Sequence, residues 1–289
     1  MAARRLPRRR DDARPGIPPF DFLKKPHSVG SGLELFSFSA LHWQVCAIAL
    51  VAGVAHGISG FGFPLVSTPV VALFTDVRTA VVMTLLPNIA VNLISLAKGG
   101  RWRESLGKYW PIACYVVVGT LIGTRLILIA PPEPLKLLLA ILIVVYLKQE
   151  AFKQVDWGAI NRHPQWAGLG FGLLGGVLSG AVNVALPPLI IYFTTLGLAP
   201  LAMTQILNLC FLAGRTTQVA ALGGVGQLGG EVLVVAIPAT AAAVIGVLAG
   251  GYFQSRISPS TWRMLMRTVL WVLALLLIVQ VFRPLIHWR

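Results

Sequence analysis

The chain has 289 residues, 56% of them hydrophobic and only 12% charged, with a mean hydropathy of +0.77. Soluble domains carry roughly a quarter charged residues, so this balance excludes an ordinary water-soluble fold and points to a polytopic membrane protein. The net charge of +14 does not indicate nucleic acid, because the basic residues flank apolar runs and no basic stripe with interleaved aromatics accompanies them.

Residues 1–40 form a basic tail that holds eight of the 24 Lys and Arg residues, in RRLPRRR, Arg14, Lys24 and Lys25. Its composition reads as disordered and cytoplasmic; no apolar stretch follows the arginines closely enough for a signal peptide. Apolar runs follow at 43–74, 79–97, 109–129, 135–147, 166–196, 200–222, 232–253 and 262–282. The expected fold is therefore all-α, with about eight to ten transmembrane or half-membrane helices.

The run 43–74 is anomalous. As one helix its 32 residues would measure about 48 Å, too long for a hydrocarbon core of about 30 Å. Inside it lies GISGFGFPLVSTP, Gly57 to Pro69, rich in residues that interrupt helices. The run 166–196 contains GVLSGAVNVALPP, Gly176 to Pro188, of the same length and with the same Ser-Gly pair. MTLLPN (Met83 to Asn88) then matches MTQILN (Met203 to Asn208), and VGTLIGT (Val118 to Thr124) matches IGVLAGG (Ile245 to Gly251). The chain thus reads as repeat 1 over 41–150, a polar linker over 151–165 and repeat 2 over 166–289, each repeat opening on a broken or re-entrant element. If the broken segments cross once, there are eight crossings, the halves run parallel, and the tail shares the cytoplasm with the basic loop Lys98 to Lys108. If they re-enter, the halves are inverted and tail and loop part company. Charge counting favours a cytoplasmic tail; the repeat symmetry stays open.

The paired breaks supply the candidate binding residues. Gly57, Gly60 and Gly62 allow a turn or a close ligand approach, Pro64 can start a short helix, Ser59 adds a hydroxyl, and Phe61 lies between the glycines. Ser179, Gly180 and Asn183, followed by a helix start at Pro187, are their counterparts. A half-helix N-terminus within a membrane can hold an anion without a buried cation; close helix packing is the competing role for the glycines. Thr84 and Asn88 correspond to Thr204 and Asn208, with Gln205 beside them, and these polar groups sit in mid-run. Arg215, in the polar cluster GRTTQ, and Arg125 are charges inside apolar runs, each near enough to an end to snorkel. His56 reads as a packed imidazole rather than a proton relay, and Cys46, Cys114 and Cys210, without CxxC spacing, as inert thiols.

The acidic residues Asp76, Glu104, Glu133, Glu150, Asp156 and Glu231 all fall in loops or at run ends. Ion coupling through a buried carboxylate is therefore unsupported. No cofactor or metal is called for, and no GxSxG, HExxH or P-loop suggests an enzyme.

The two Gly-rich windows and the MTLLPN/MTQILN pair resemble the sulfite exporter TauE/SafE family over about 43–282. That resemblance implies a bacterial multi-pass inner-membrane protein that moves sulfur-containing anions such as sulfite or an organosulfonate, generally outward. The second window departs from the glycine-dense pattern, with Ala181, Val182 and Asn183 where Phe61, Gly62 and Phe63 follow Ser-Gly in the first. The partners expected are a small anion, the lipid bilayer and, optionally, a second copy of the chain. Rival readings are uptake or proton-coupled transport of another small anion or metabolite, and a membrane assembly factor that transports nothing.

Overall fold

A computed structural model describes residues 40–100, 102–152 and 157–286. Every regular element among them is a helix: α1 (Ala40–Ser59), α2 (Phe63–Phe74), α3 (Val77–Lys98), α4 (Trp102–Ile129), α5 (Pro132–Leu147), α6 (Gln149–Phe152), α7 (Gly158–Arg162), α8 (Pro164–Val182), α9 (Leu186–Thr195), α10 (Pro200–Gly224), α11 (Gly230–Phe253) and α12 (Pro259–Ile286). Six helices are long and apolar enough to cross a membrane: α1, α3, α4, α8, α11 and α12. α10 has 25 residues but carries Thr204, Gln205, Asn208, Arg215 and Gln218, and is not among the six. The basic tail lies outside the described residues, as do 153–156 of the linker; the linker's described parts include the short helices α6 and α7.

Both anomalous runs turn back on themselves. After Ser59 the chain reverses through Gly60 (φ +83°), so that Gly62 comes against Ala55 and Ser59. After Val182 it reverses through Asn183 (φ +64°), and α9 returns along α8, with Leu189 beside Gly175 and Tyr192 beside Gly168. A left-handed backbone suits Gly and is tolerated by Asn, which explains the residue type at each turn.

Glycine seams fix the helix directions. A Cβ on Gly53 would strike Ala243 and Gly246, and one on Gly57 would strike Val247 and Gly250, so α1 and α11 run parallel. Gly119 meets Gly176 and Gly123 meets the Val177–Ala181 turn, so α4 and α8 are parallel too. Each seam joins two small-xxx-small pairs, the pattern that lets membrane helices approach backbone to backbone. Val82 and Leu85 cluster with Val232 and Leu222, while Gly99 packs on Gln205 and Lys98 lies near Gly251. Hence α3 is parallel to α11 and antiparallel to α10. Lys136 donates to Gln280 (2.9 Å) and Lys148 covers the Trp271 ring, making α5 and α12 antiparallel.

These directions place α1–α5 and α8–α12 in the same order but with opposite sense. The start of α1 defines an entry face; the α3–α4 connection lies at the far face. The eight-crossing alternative with parallel halves is thereby excluded, and the entrance of α1 and the Lys98–Lys108 loop are on opposite sides. The pairing of residues between halves also shifts. The windows invite alignment of Ser59-Gly60 with Ser179-Gly180, but the turns align Gly60 with Asn183 and the seams align Gly57 with Gly180. The helix starts agree with this register, since α2 begins Phe63-Pro64 and α9 begins Leu186-Pro187.

Candidate functional site

A turn at membrane depth exposes carbonyls that water cannot reach, so protein groups must satisfy them. At the first turn, Asn208 Nδ2 donates to Gly60 O (2.8 Å) and to Thr204 O (2.8 Å), and Gln254 Nε2 donates to Ile58 O (3.0 Å). At the second, Arg215 donates to Ser179 O (2.8 Å) and Gln218 Nε2 to Gly180 O (2.7 Å). Asn208 and Gln254 belong to the second half and close the first half's turn.

The converse holds at Asn183. Its side chain receives a bond from Asn88 Nδ2 (3.0 Å) and donates to Thr68 Oγ1 (2.6 Å) and Thr84 Oγ1 (3.1 Å), all residues of the first half. Asn92 Nδ2 then donates to both the carbonyl and the side-chain oxygen of Asn88, at 2.6 Å each. Each half's α3-type helix therefore presents its Thr and Asn to the turn of the other half. The asparagines at the centre are buried, with Asn88, Asn92, Asn183 and Asn208 each no more than 1% exposed.

Arg215 forms a third group. It is 2% exposed, and its guanidinium donates to Ser179 O, to Ser179 Oγ and to Gln218 Oε1. All its partners are neutral. On α4, which packs against the helix of Ser179, Thr120 and Thr124 are buried and their hydroxyls have no hydrogen-bond partner. His56 stands at the place in the first half that Ser179 holds in the second; its ring pairs with Ser95 Oγ (2.9 Å) and accepts from Phe63 N (3.4 Å).

The residues singled out from sequence distribute unevenly over this architecture. Thr84, Asn88 and Asn183 meet in one cluster; Gly60, Thr204 and Asn208 meet in another; Ser179 and Arg215 meet in the third. Gly57 and Gly180 lie in the seams, the position that close helix packing requires. Ser59 bonds back to Ala55 O (2.7 Å). Ser59, Phe61 and Gly62 line a cavity of about 820 Å³ at the far face, with Tyr146, Trp262, Arg263 and Arg267. Gln205 packs against Gly99. Pro64 and Pro187 sit at the starts of α2 and α9, where they provide no N–H. Phe63 N is taken by His56 and α9 opens Leu186-Pro187-Pro188, so the half-helix N-termini offer few free donors. Arg125 is exposed on α4 one turn from its end, and Cys114 is exposed while Cys210 is buried. Sequence reasoning passed over Asn92, Gln218, Thr120 and Thr124. Asn92 and Gln218 had a signal in their spacing, four residues after Asn88 and three after Arg215.

A helical bundle with inverted halves, paired re-entrant turns and a sealed polar centre defines a polytopic membrane protein of the secondary-transporter type. The family model "Sulfite exporter TauE/SafE" matches residues 45–277. The chain belongs to that family of membrane transporters. No curated protein and no solved structure matches it.

Proposed function

We propose that the protein exports small sulfur-containing anions, sulfite or an organosulfonate, across a bacterial inner membrane. The observation that carries this reading is Arg215: a cation sealed between apolar helices with only neutral partners. A buried unpaired charge is expensive in a membrane and marks a substrate pathway more often than a scaffold. A permeating anion is the natural countercharge. Around it the polar turns provide Ser179, Asn88, Asn183 and Asn208 to replace the anion's water. The far-face cavity, lined by Arg263 and Arg267 against the carboxylate of Glu150, would keep a net positive charge beside the first turn and gather anions before they enter.

A negative cell interior favours outward anion movement by roughly 2.3 kcal/mol per charge per 100 mV, so export needs no coupling ion. The test is sulfite flux from proteoliposomes under an imposed potential. Flux should rise with the driving voltage and fall strongly in Arg215→Gln and in the double variant Asn88→Ala with Asn208→Ala. Flux indifferent to voltage and to these substitutions would refute the mechanism. Flux driven by a pH gradient and lost in His56→Ala would instead favour proton coupling.

A further inference from the structure

We propose that the oxygens of the transported anion are held by a one-sided subsite between α4, α8 and α10, formed by Arg215 with the hydroxyls of Thr120 and Thr124. This rests on the reading of the protein as an anion transporter and names where, and by what, the oxoanion head is recognised.

The two threonines lack the bond to their own helix that several other hydroxyls make. Ser59, Ser67, Thr84, Thr217 and Thr240 each donate to the carbonyl four residues earlier. Thr120 and Thr124 do not, and no other partner takes their protons, although they are 0% and 2% exposed. The carbonyls they would use, Val116 O and Thr120 O, are turned into the seam against Gly176 and Gly180. Two buried donors one helical turn apart are thus left open.

Thr120 adjoins Ser179, the cation's partner, and Thr124 lies one turn further along α4. A Cβ on Gly214, the neighbour of Arg215, would come within 3.1 Å of Thr120 Oγ1 and 3.2 Å of Ser179 Oγ. Thr124 is level with Gly180, whose carbonyl is bonded by Gln218, the side chain that also accepts from Arg215. No Asp or Glu occurs in α8 or α10, and α4 has only Glu104, sixteen residues and about 24 Å along the helix from Thr120. Ser179 O lies in the last turn of α8, so Arg215 also caps that helix; a C-terminal dipole of about half a charge does not neutralise it.

The other half of the molecule is the internal comparison. The seam register puts Val247 and Gly251 where Thr120 and Thr124 stand, the turn register puts His56 where Ser179 stands, and Ser95 follows Asn88 as Arg215 follows Asn208. There the His56–Ser95 pair is closed, and the α11 positions carry no hydroxyl. Only the second site combines a cation with spare donors. A planar guanidinium fork plus two hydroxyls suits a head with three oxygens, the sulfite and sulfonate group, better than a carboxylate or a halide. In the closed arrangement Ser179 and Gln218 occupy the guanidinium, and the anion would exchange with them.

The experiment uses the full-length protein, with sulfite, methanesulfonate and acetate as probes. Binding is read by ligand-induced thermal stabilisation and transport by proteoliposome flux. Thr120→Val and Thr124→Val remove hydroxyls without partners, so the melting temperature of the free protein should hold. Each should weaken sulfite and methanesulfonate binding about tenfold, as loss of a hydrogen bond to a charged group does, and acetate less. Thr120→Ser should restore binding. Thr240→Val, which removes a hydroxyl satisfied within its own helix, should leave affinity unchanged. If the wild type binds and carries sulfite while both valine variants stay within twofold of it, the subsite is wrong and the export reading stands. If the wild type neither binds nor carries any of the three anions, the export reading fails and the subsite with it.

Discussion

Asn183 combines a backbone role with a side-chain role. Its φ of +64° is strained for most residues, and its amide ties Thr68, Thr84 and Asn88 to the second turn. Asn183→Gly keeps the backbone and loses the amide; Asn183→Ala loses both. Membrane hydrogen bonds average about 0.6 kcal/mol each, and a left-handed non-Gly residue adds about 1–2 kcal/mol. Melting temperatures in detergent should therefore rank wild type above Asn183→Gly and Asn183→Gly above Asn183→Ala. Legibility at this scale was mixed. Asn88, Asn208 and Arg215 announce themselves as polar groups inside apolar runs, because burying them demands a reason. Thr120 and Thr124 do not, since a helical threonine normally satisfies itself on its own backbone. In the fold Val116 O and Thr120 O are turned toward α8 and the two hydroxyls have no partner. That direction is a fact of packing, which no local pattern contains.

At the level of helices, the glycines divide into two kinds with different expected tolerance. Gly176 faces Gly119 Cα at 2.8 Å and Thr120 N at 2.9 Å from a would-be Cβ, whereas Gly107 and Gly170 meet nothing within 4 Å. Gly176→Val should destabilise the protein by at least the 1–3 kcal/mol typical of overpacking, about the cost of forcing α4 and α8 apart. Gly170→Val should be near neutral, and thermal melting of the two variants checks the contrast. The apolar runs marked the helices closely: 79–97 became Val77–Lys98 and 232–253 became Gly230–Phe253. The turns were located but misregistered, because Ser-Gly is the conspicuous shared dipeptide. What the halves share in space is a left-handed residue, Gly60 in one and Asn183 in the other. Chemical likeness and conformational likeness diverged at that position.

For the whole molecule, the inverted arrangement sets two charge signals against each other. The far-face ends and connections carry Lys98, Lys108, Lys148, Arg162, Arg256, Arg263 and Arg267, while the entry face has Arg78, Arg125, Lys136 and Arg283. Charges within about 15–20 residues of a span end govern orientation, and of the tail's basic residues only Lys24 and Lys25 fall in that window before Ala40. The distribution predicts a cytoplasmic far face, with the arginine-rich segment before Ala40 outside. Gly107→Cys and Gly229→Cys, both at open positions, should react with an impermeant maleimide from opposite sides, Gly107→Cys from the cytoplasm. Labelling of Gly229→Cys from the cytoplasm instead would mean that the N-terminal arginines dominate. A far face turned inward would also put the cavity beside Arg263 and Arg267 where an exported anion is loaded.

The crossed seams have a consequence for biosynthesis. Gly119 finds Gly176 after 57 further residues, but Gly53 must wait 193 residues for Gly246. At about 5–20 residues per second, α1 spends roughly 10–40 s in the bilayer without the helix that fills its glycine groove. During that interval any small-faced helix nearby is a competitor, and the order of emergence from the ribosome makes α4 with α8 the first of the two glycine seams to close. Crosslinks between cysteines in nascent chains halted at increasing lengths should appear for that pair well before any join α1 to α11.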